Sequence, residues 1–155
     1  MSFRITGLSP EPFRHLYGLS DADLGAHGVT RHTADKFPGF PDRIEVRDAA
    51  PGETLLLLNH VHQPADTAYR ASHAIFVREG AEARYDATGE IPEALRVRTI
   101  SLRGFDDGGN MTDAALVDGG VLDAAIDRMF GDPAVAYLHA HYAVRGCYAA
   151  RVDRA

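Results

Sequence analysis

Leu55-Leu56-Leu57-Leu58-Asn59-His60-Val61-His62 is the stretch on which the fold turns. Four consecutive leucines are too few for a helix and suit a strand covered on both faces, as in the middle of a sheet. The far end of the same strand is polar and carries two histidines on one face. Ala50-Pro51-Gly52-Glu53 supplies the turn before it, and Gln63 to Ser72 reads as the loop after it.

Working toward the N-terminus, Arg43-Ile44-Glu45-Val46-Arg47 alternates polar and apolar, which predicts a half-buried strand. Phe37-Pro38-Gly39-Phe40-Pro41 precedes it as a loop, because proline lacks the N–H that helix interiors and central strands need. Ser9-Pro10-Glu11-Pro12 opens a short helix holding Phe13, Leu16 and Tyr17. Ser20 is the N-cap of a second, stopped by Gly25 and Gly28, and Phe3-Arg4-Ile5 is a short alternating segment.

Toward the C-terminus, Ala74-Ile75-Phe76-Val77 is a strand, Glu79-Gly80 a turn into Ala83-Arg84-Tyr85, and Arg96 to Arg103 another alternating strand. Asp106-Asp107-Gly108-Gly109-Asn110 turns it back through Met111 to Val117. Gly119 to Phe130 is the clearest helix, with Asp118 as its cap. Its stripe is Val121, Leu122, Ala125, Ile126, Met129 and Phe130. Gly131, expected left-handed, and Pro133 end it. Val135 to Tyr142 and Cys147 to Val152 close the chain as a hairpin. A three-residue turn, Val144-Arg145-Gly146, would set Ala143 opposite Cys147. Many strands, few helices and short connections predict an α+β fold: one domain over residues 1–155, its antiparallel or mixed sheet carrying helices on one face.

At 155 residues, 45% apolar and 25% charged, the chain can bury a core without a disulfide or a structural metal. Cys147 is the single cysteine, so no intrachain disulfide forms. The N-terminal residues lack the apolar stretch of a secretory signal and no run is long enough for a membrane helix, so the cytoplasm is the expected compartment, with no membrane partner. A net charge of −6 without a basic patch argues against nucleic acid. The preference for Arg over Lys, of which Lys36 is the one example, points to a GC-rich bacterial genome.

Glycine-rich phosphate loops, HExxH and Gly-x-Ser-x-Gly are all missing. The run from Asp106 has Met111 and Val117 where a calcium loop needs glycine and glutamate. The chemistry lies in a repeated His-x-His: His60 with His62, and His139 with His141. Residues two apart on a strand share a face, so both pairs can converge on one divalent ion such as zinc. The bland reading is two unrelated pairs of partly buried or solvated histidines. Cys147 with His141 is a candidate catalytic thiolate–imidazolium pair, against the bland reading of a small buried hydrophobe. Tyr69, Arg70 and Arg103 are candidate contacts for a small anionic ligand, against the bland reading of solvated edge residues.

Three stretches, Ala49 to Asn59, Tyr69 to Val77 and Gly146 to Val152, together with Leu116-Val117-Asp118-Gly119, resemble a bacterial family known as domain of unknown function 1203. The likeness spans nearly the whole chain. It implies an uncharacterised bacterial protein and carries no activity with it. Many members have Pro-Cys-Arg at the place of Pro41-Asp42-Arg43, and Asn-Ala-Arg-Pro at the place of Tyr142-Ala143-Val144-Arg145. A dithiol shared with Cys147 in those relatives would therefore be missing here. The leading functional expectation is small-ligand or divalent-metal binding at a histidine-lined pocket. A Cys–His hydrolase or transferase, or a protein-interaction module without catalysis, are the alternatives. The enzyme question and the oligomeric state stay open.

Overall fold

The computed structural model describes residues 2–155. In chain order its elements are β1 (Phe3–Thr6), α1 (Asp21–Ala26), β2 (Thr30–Thr33), β3 (Pro41–Asp42), β4 (Arg47–Asp48), β5 (Thr54–Gln63), β6 (Ala71–Arg78) and β7 (Asp86–Thr88). They continue with α2 (Glu93–Arg96), β8 (Thr99–Phe105), β9 (Met111–Asp118), α3 (Leu122–Phe130), β10 (Tyr137–Tyr142) and β11 (Cys147–Arg154). The α+β reading stands, with the strands divided between two sheets where the sequence suggested one. The first is antiparallel, ordered β7-β1-β11-β10-β8-β9; the second, β2-β5-β6-β3-β4, is mixed because β3 runs parallel to β6.

The leucine run behaves as its composition requires: β5 lies between β2 and β6, and Leu55 and Leu56 are fully buried. Ser20 caps α1 by accepting the Asp23 N–H, and Asp118 accepts the Gly120 N–H ahead of α3. Leu122, Ile126, Met129 and Phe130 of α3 pack under the first sheet with Leu102, Leu138 and Val152. Val121 is not part of that stripe; it sits in a 3-10 turn before α3 and is 54% exposed. Gly131 keeps helical angles, φ −63°, so the helix ends without the expected left-handed residue. A second core gathers Phe13, Leu16 and Leu24 onto Leu56, Leu58, Ile75 and Val77 of the second sheet.

The expected strand over residues 43–47 is instead a tight turn between β3 and β4, and the cause is Asp42. Its buried carboxylate accepts the backbone N–H groups of Ile44, Glu45 and, across the sheet, Arg78. A side chain that captures the next amides offers the backbone a turn in place of a ladder. The turn then splits its apolar residues. Ile44 enters the second core and Val46, at a left-handed φ of 49°, enters the first. Gly7 passes so close that a Cβ there would stand 2.0 Å from the Ile44 carbonyl oxygen. The segments missed from sequence, β2, β3, β7 and α2, are four residues or fewer. None of the helices is long and apolar enough to cross a membrane among the described residues.

Ile126 is fully buried in the first core. Ile126→Ala should destabilise the protein by about 2–5 kcal/mol, seen as a lower urea midpoint at unchanged slope. An unmoved midpoint would contradict the packing of α3.

Candidate metal centre

The two sheets meet through rings as well as aliphatic groups. From the second sheet come His62, at the polar end of β5 where the register with β6 shifts, and His73 on β6. From the first come His139 and His141 on β10 and Tyr148 on β11, His141 being the register partner of Tyr148. His62 stacks on His73 at 4.7 Å between ring centres and on Tyr148 at 5.2 Å. His141 meets the edge of this stack, 4.9 Å from His62 and 5.4 Å from His73.

One ring nitrogen from each of His62, His73 and His141 forms a set within 4.8 Å of one another. The His141 Nδ1 lies 2.9 Å from the Gly146 carbonyl oxygen. A carbonyl can only accept, so Nδ1 carries the proton and Nε2 keeps a lone pair. That Nε2 is buried and has no hydrogen-bond partner among the described residues, as is true of both His62 nitrogens and the His73 Nδ1. Polar atoms buried without a partner are costly in a folded protein, and a functional role is one of the reasons they persist.

Burial drives the electrostatics. Desolvation pushes His62 down to about 4, and His139 and His141 down to about 3, so all three rings are neutral at pH 7. His73 is lowered for the same reason. The cations that act on this group are Arg103, on all four rings, Arg151 on His139 and Arg43 on His73. Arg103 has only the Ser101 hydroxyl as a hydrogen-bond partner among the described residues, at 3.3 Å. A cleft of about 320 Å³, lined by His62, His139, Tyr137, Arg151 and Gly109, reaches the edge of the cluster.

The expected ligand set is therefore rearranged. His62 and His141 come together from opposite sheets, whereas His60 lies 6.3 Å from Phe13 and 6.1 Å from Tyr148 between ring centres and stays out of the set. His139 lies alongside, 5.9 Å from His62 between ring centres, and contributes no nitrogen to the close trio. His73 was not singled out from sequence. The signal was there: it is the cross-strand partner of His60 on an alternating strand, legible only once β5 and β6 are paired.

Cys147 does not join them. The final turn holds four residues, Ala143 to Gly146, so Tyr142, not Ala143, opposes Cys147. That parity sets the thiol on the opposite face from His141, which corrects the expected Cys147–His141 pair. Gly146 is left-handed as expected, φ 79°. Arg103 reaches the cluster. Tyr69, 41% exposed, and Arg70, bonded to the Pro64 carbonyl, stay in the β5–β6 loop and line neither cavity.

Residues 39–154 match the family model described as "Protein of unknown function (DUF1203)". No curated protein and no solved structure matches the chain.

For the metal-free protein, the depressed histidines fix the sign of the pH response. Above about 6.5 they are neutral folded or unfolded. Below it the unfolded chain binds protons that the folded one refuses until about 4 and about 3, so stability falls with pH across that window. Urea midpoints should drop from neutral pH toward pH 4, and His139→Phe should flatten the slope. An equally steep slope in the variant would show that His139 is not the buried neutral ring described.

Proposed function

As the chain belongs to the DUF1203 family, whose description names no activity, its chemistry must be read from its own site, and we propose that it binds a divalent transition metal of the zinc type through His62, His73 and His141. The observation that carries this reading is the buried, partnerless Nε2 of His141, its tautomer fixed by the Gly146 carbonyl. Metal-binding histidines habitually donate their second ring N–H to such an acceptor, which orients the ring and strengthens the ligand. Neutral imidazoles are the form that ligates, and burial keeps these neutral. Zinc takes its nitrogen ligands at about 2.0–2.1 Å, and the three candidate nitrogens already lie within 4.8 Å of one another.

Three histidines leave a fourth position open, the pattern of sites that act on a ligand and not of purely structural ones. The neighbouring charges are positive, Arg103 foremost, and they oppose a bare dication while favouring an anion beside it. Hydroxide or a small oxyanion, held by the metal and by Arg103, completes the charge balance. A metal so placed lowers the pKa of its water and polarises a carbonyl or phosphoryl oxygen.

Protein stripped with chelator and dialysed against zinc should retain about one equivalent by elemental analysis, as tight sites do. His141→Ala and His73→Ala should each lower zinc affinity by roughly 10–100-fold or more, on the scale of losses from a disrupted metal shell. His60→Ala should leave it unchanged. Retention below about 0.1 equivalent in the wild-type protein would sink the reading, since a tight zinc site keeps its metal under these conditions.

A further inference from the structure

A larger cavity, about 670 Å³, lies between the sheets on the side of the final hairpin away from the histidines. Its charged lining is basic: Arg43, Arg98, Lys36 and Arg145 line it, with no acidic residue beside them among the described residues. Arg98 is already neutralised, gripped at two points by Asp48 at 2.7 and 2.8 Å. Arg43 is different. It is 4% exposed, and its Nε and Nη1 donate to the carbonyls of Tyr148 and Pro41, at 2.8 and 2.6 Å. Both acceptors are neutral, and its Nη2 has no hydrogen-bond partner among the described residues.

The adjacent Asp42 carboxylate is committed to three backbone amides. The Arg43 charge is therefore nearly sealed from water without a carboxylate paired to it, a costly arrangement that an anion in the cavity would relieve. Beside it, Tyr142 is 7% exposed, and its hydroxyl is buried without a partner while its ring lies under both guanidinium groups, at 5.0 and 4.9 Å. The lining also has an apolar part, with Phe40 and Phe76 5.4 Å apart between ring centres.

We infer that this cavity binds a small organic oxyanion, its charged end held by Arg43 with Tyr142 and its apolar body set against Phe40 and Phe76. Lys36 and Arg145, both exposed and without ion pairs among the described residues, stand at the rim and draw the anion in. A mostly apolar wall with a few convergent polar groups is the usual form of such a pocket. The inference is independent of the histidine site, whose rings line none of this cavity.

Cys147 makes the test direct, because this single thiol of the chain stands on the cavity wall and its alkylation reads occupancy. Alkylation rates would be measured with neutral iodoacetamide on the full chain, alone and with phenylacetate, phenyl phosphate or inorganic phosphate. Phenylacetate or phenyl phosphate should slow the reaction several-fold, and which of the two does so identifies a carboxylate or a phosphate ester. Arg43→Met should abolish that protection. Should Arg43→Met fail to fold, the double variant Lys36→Gln/Arg145→Gln, altered only at exposed side chains, should weaken it and lower the ratio of the thiol's rate with anionic iodoacetate to its rate with iodoacetamide. Unchanged alkylation with all three anions overturns the inference, as does protection that survives both variants. Inorganic phosphate protecting as well as phenyl phosphate overturns the role given to Phe40 and Phe76.

Discussion

The capture of three backbone amides by the Asp42 carboxylate is the constraint on which the rest of the molecule depends. It bends the chain between β3 and β4, ties that bend to β6 at Arg78, and turns Arg43 inward. From the bend, the Arg43 backbone bonds to Phe76 and Leu8, the Ile44 carbonyl accepts from Tyr85, and the Arg43 side chain reaches the Tyr148 carbonyl in the first sheet. Ile44 and Val46 anchor separate cores. A few residues thus join both sheets, and the left-handed Val46 is held there by the burial on each side.

Rings separate the two cavities. Tyr148 has His62 stacked on its face and His141 and His139 at its edge, while its carbonyl holds Arg43 on the other side. The alternation of β10 does the sorting. His141 faces the histidine cluster; its neighbour Tyr142 faces the basic cavity along with its cross-strand partner Cys147. One strand therefore presents two chemically distinct faces, neutral imidazole nitrogens on one and a tyrosine beside cations and a thiol on the other.

What was legible in the sequence follows from range. The leucine run, the Asp106–Asn110 hairpin, the Ser20 cap and the α3 stripe are all set within a few residues, and the structure keeps them, except that Gly119 to Val121 form a 3-10 turn that takes the Asp118 cap and leaves Val121 exposed. The bend at residues 43–46 was not legible, since its hydrophobic alternation is that of a strand and the deciding hydrogen bonds come from a side chain. The His-x-His pairs were visible as pairs. That His62 and His141 meet, that His73 joins them and that His60 does not depends on register across β5–β6 and on contact between sheets, neither of which a local pattern contains. The Cys147 facing turned on one residue in a turn, where glycine fits three-residue and four-residue loops equally well.

The charge distribution bears on how such a site can work at all. The protein as a whole is acidic, at −6, yet the cations that act most on the histidine rings are Arg103, Arg151 and Arg43. Many zinc sites orient their histidines with carboxylates, which add negative charge and hold the cation. Here a neutral backbone carbonyl takes that role at His141. With neutral ligands and positive neighbours, an ion in this position would remain strongly electrophilic and would need an exogenous anion to balance it. That requirement favours a centre that draws a small anion onto the metal over one that merely braces two sheets, which the Asp42 bend and the aliphatic cores already hold together.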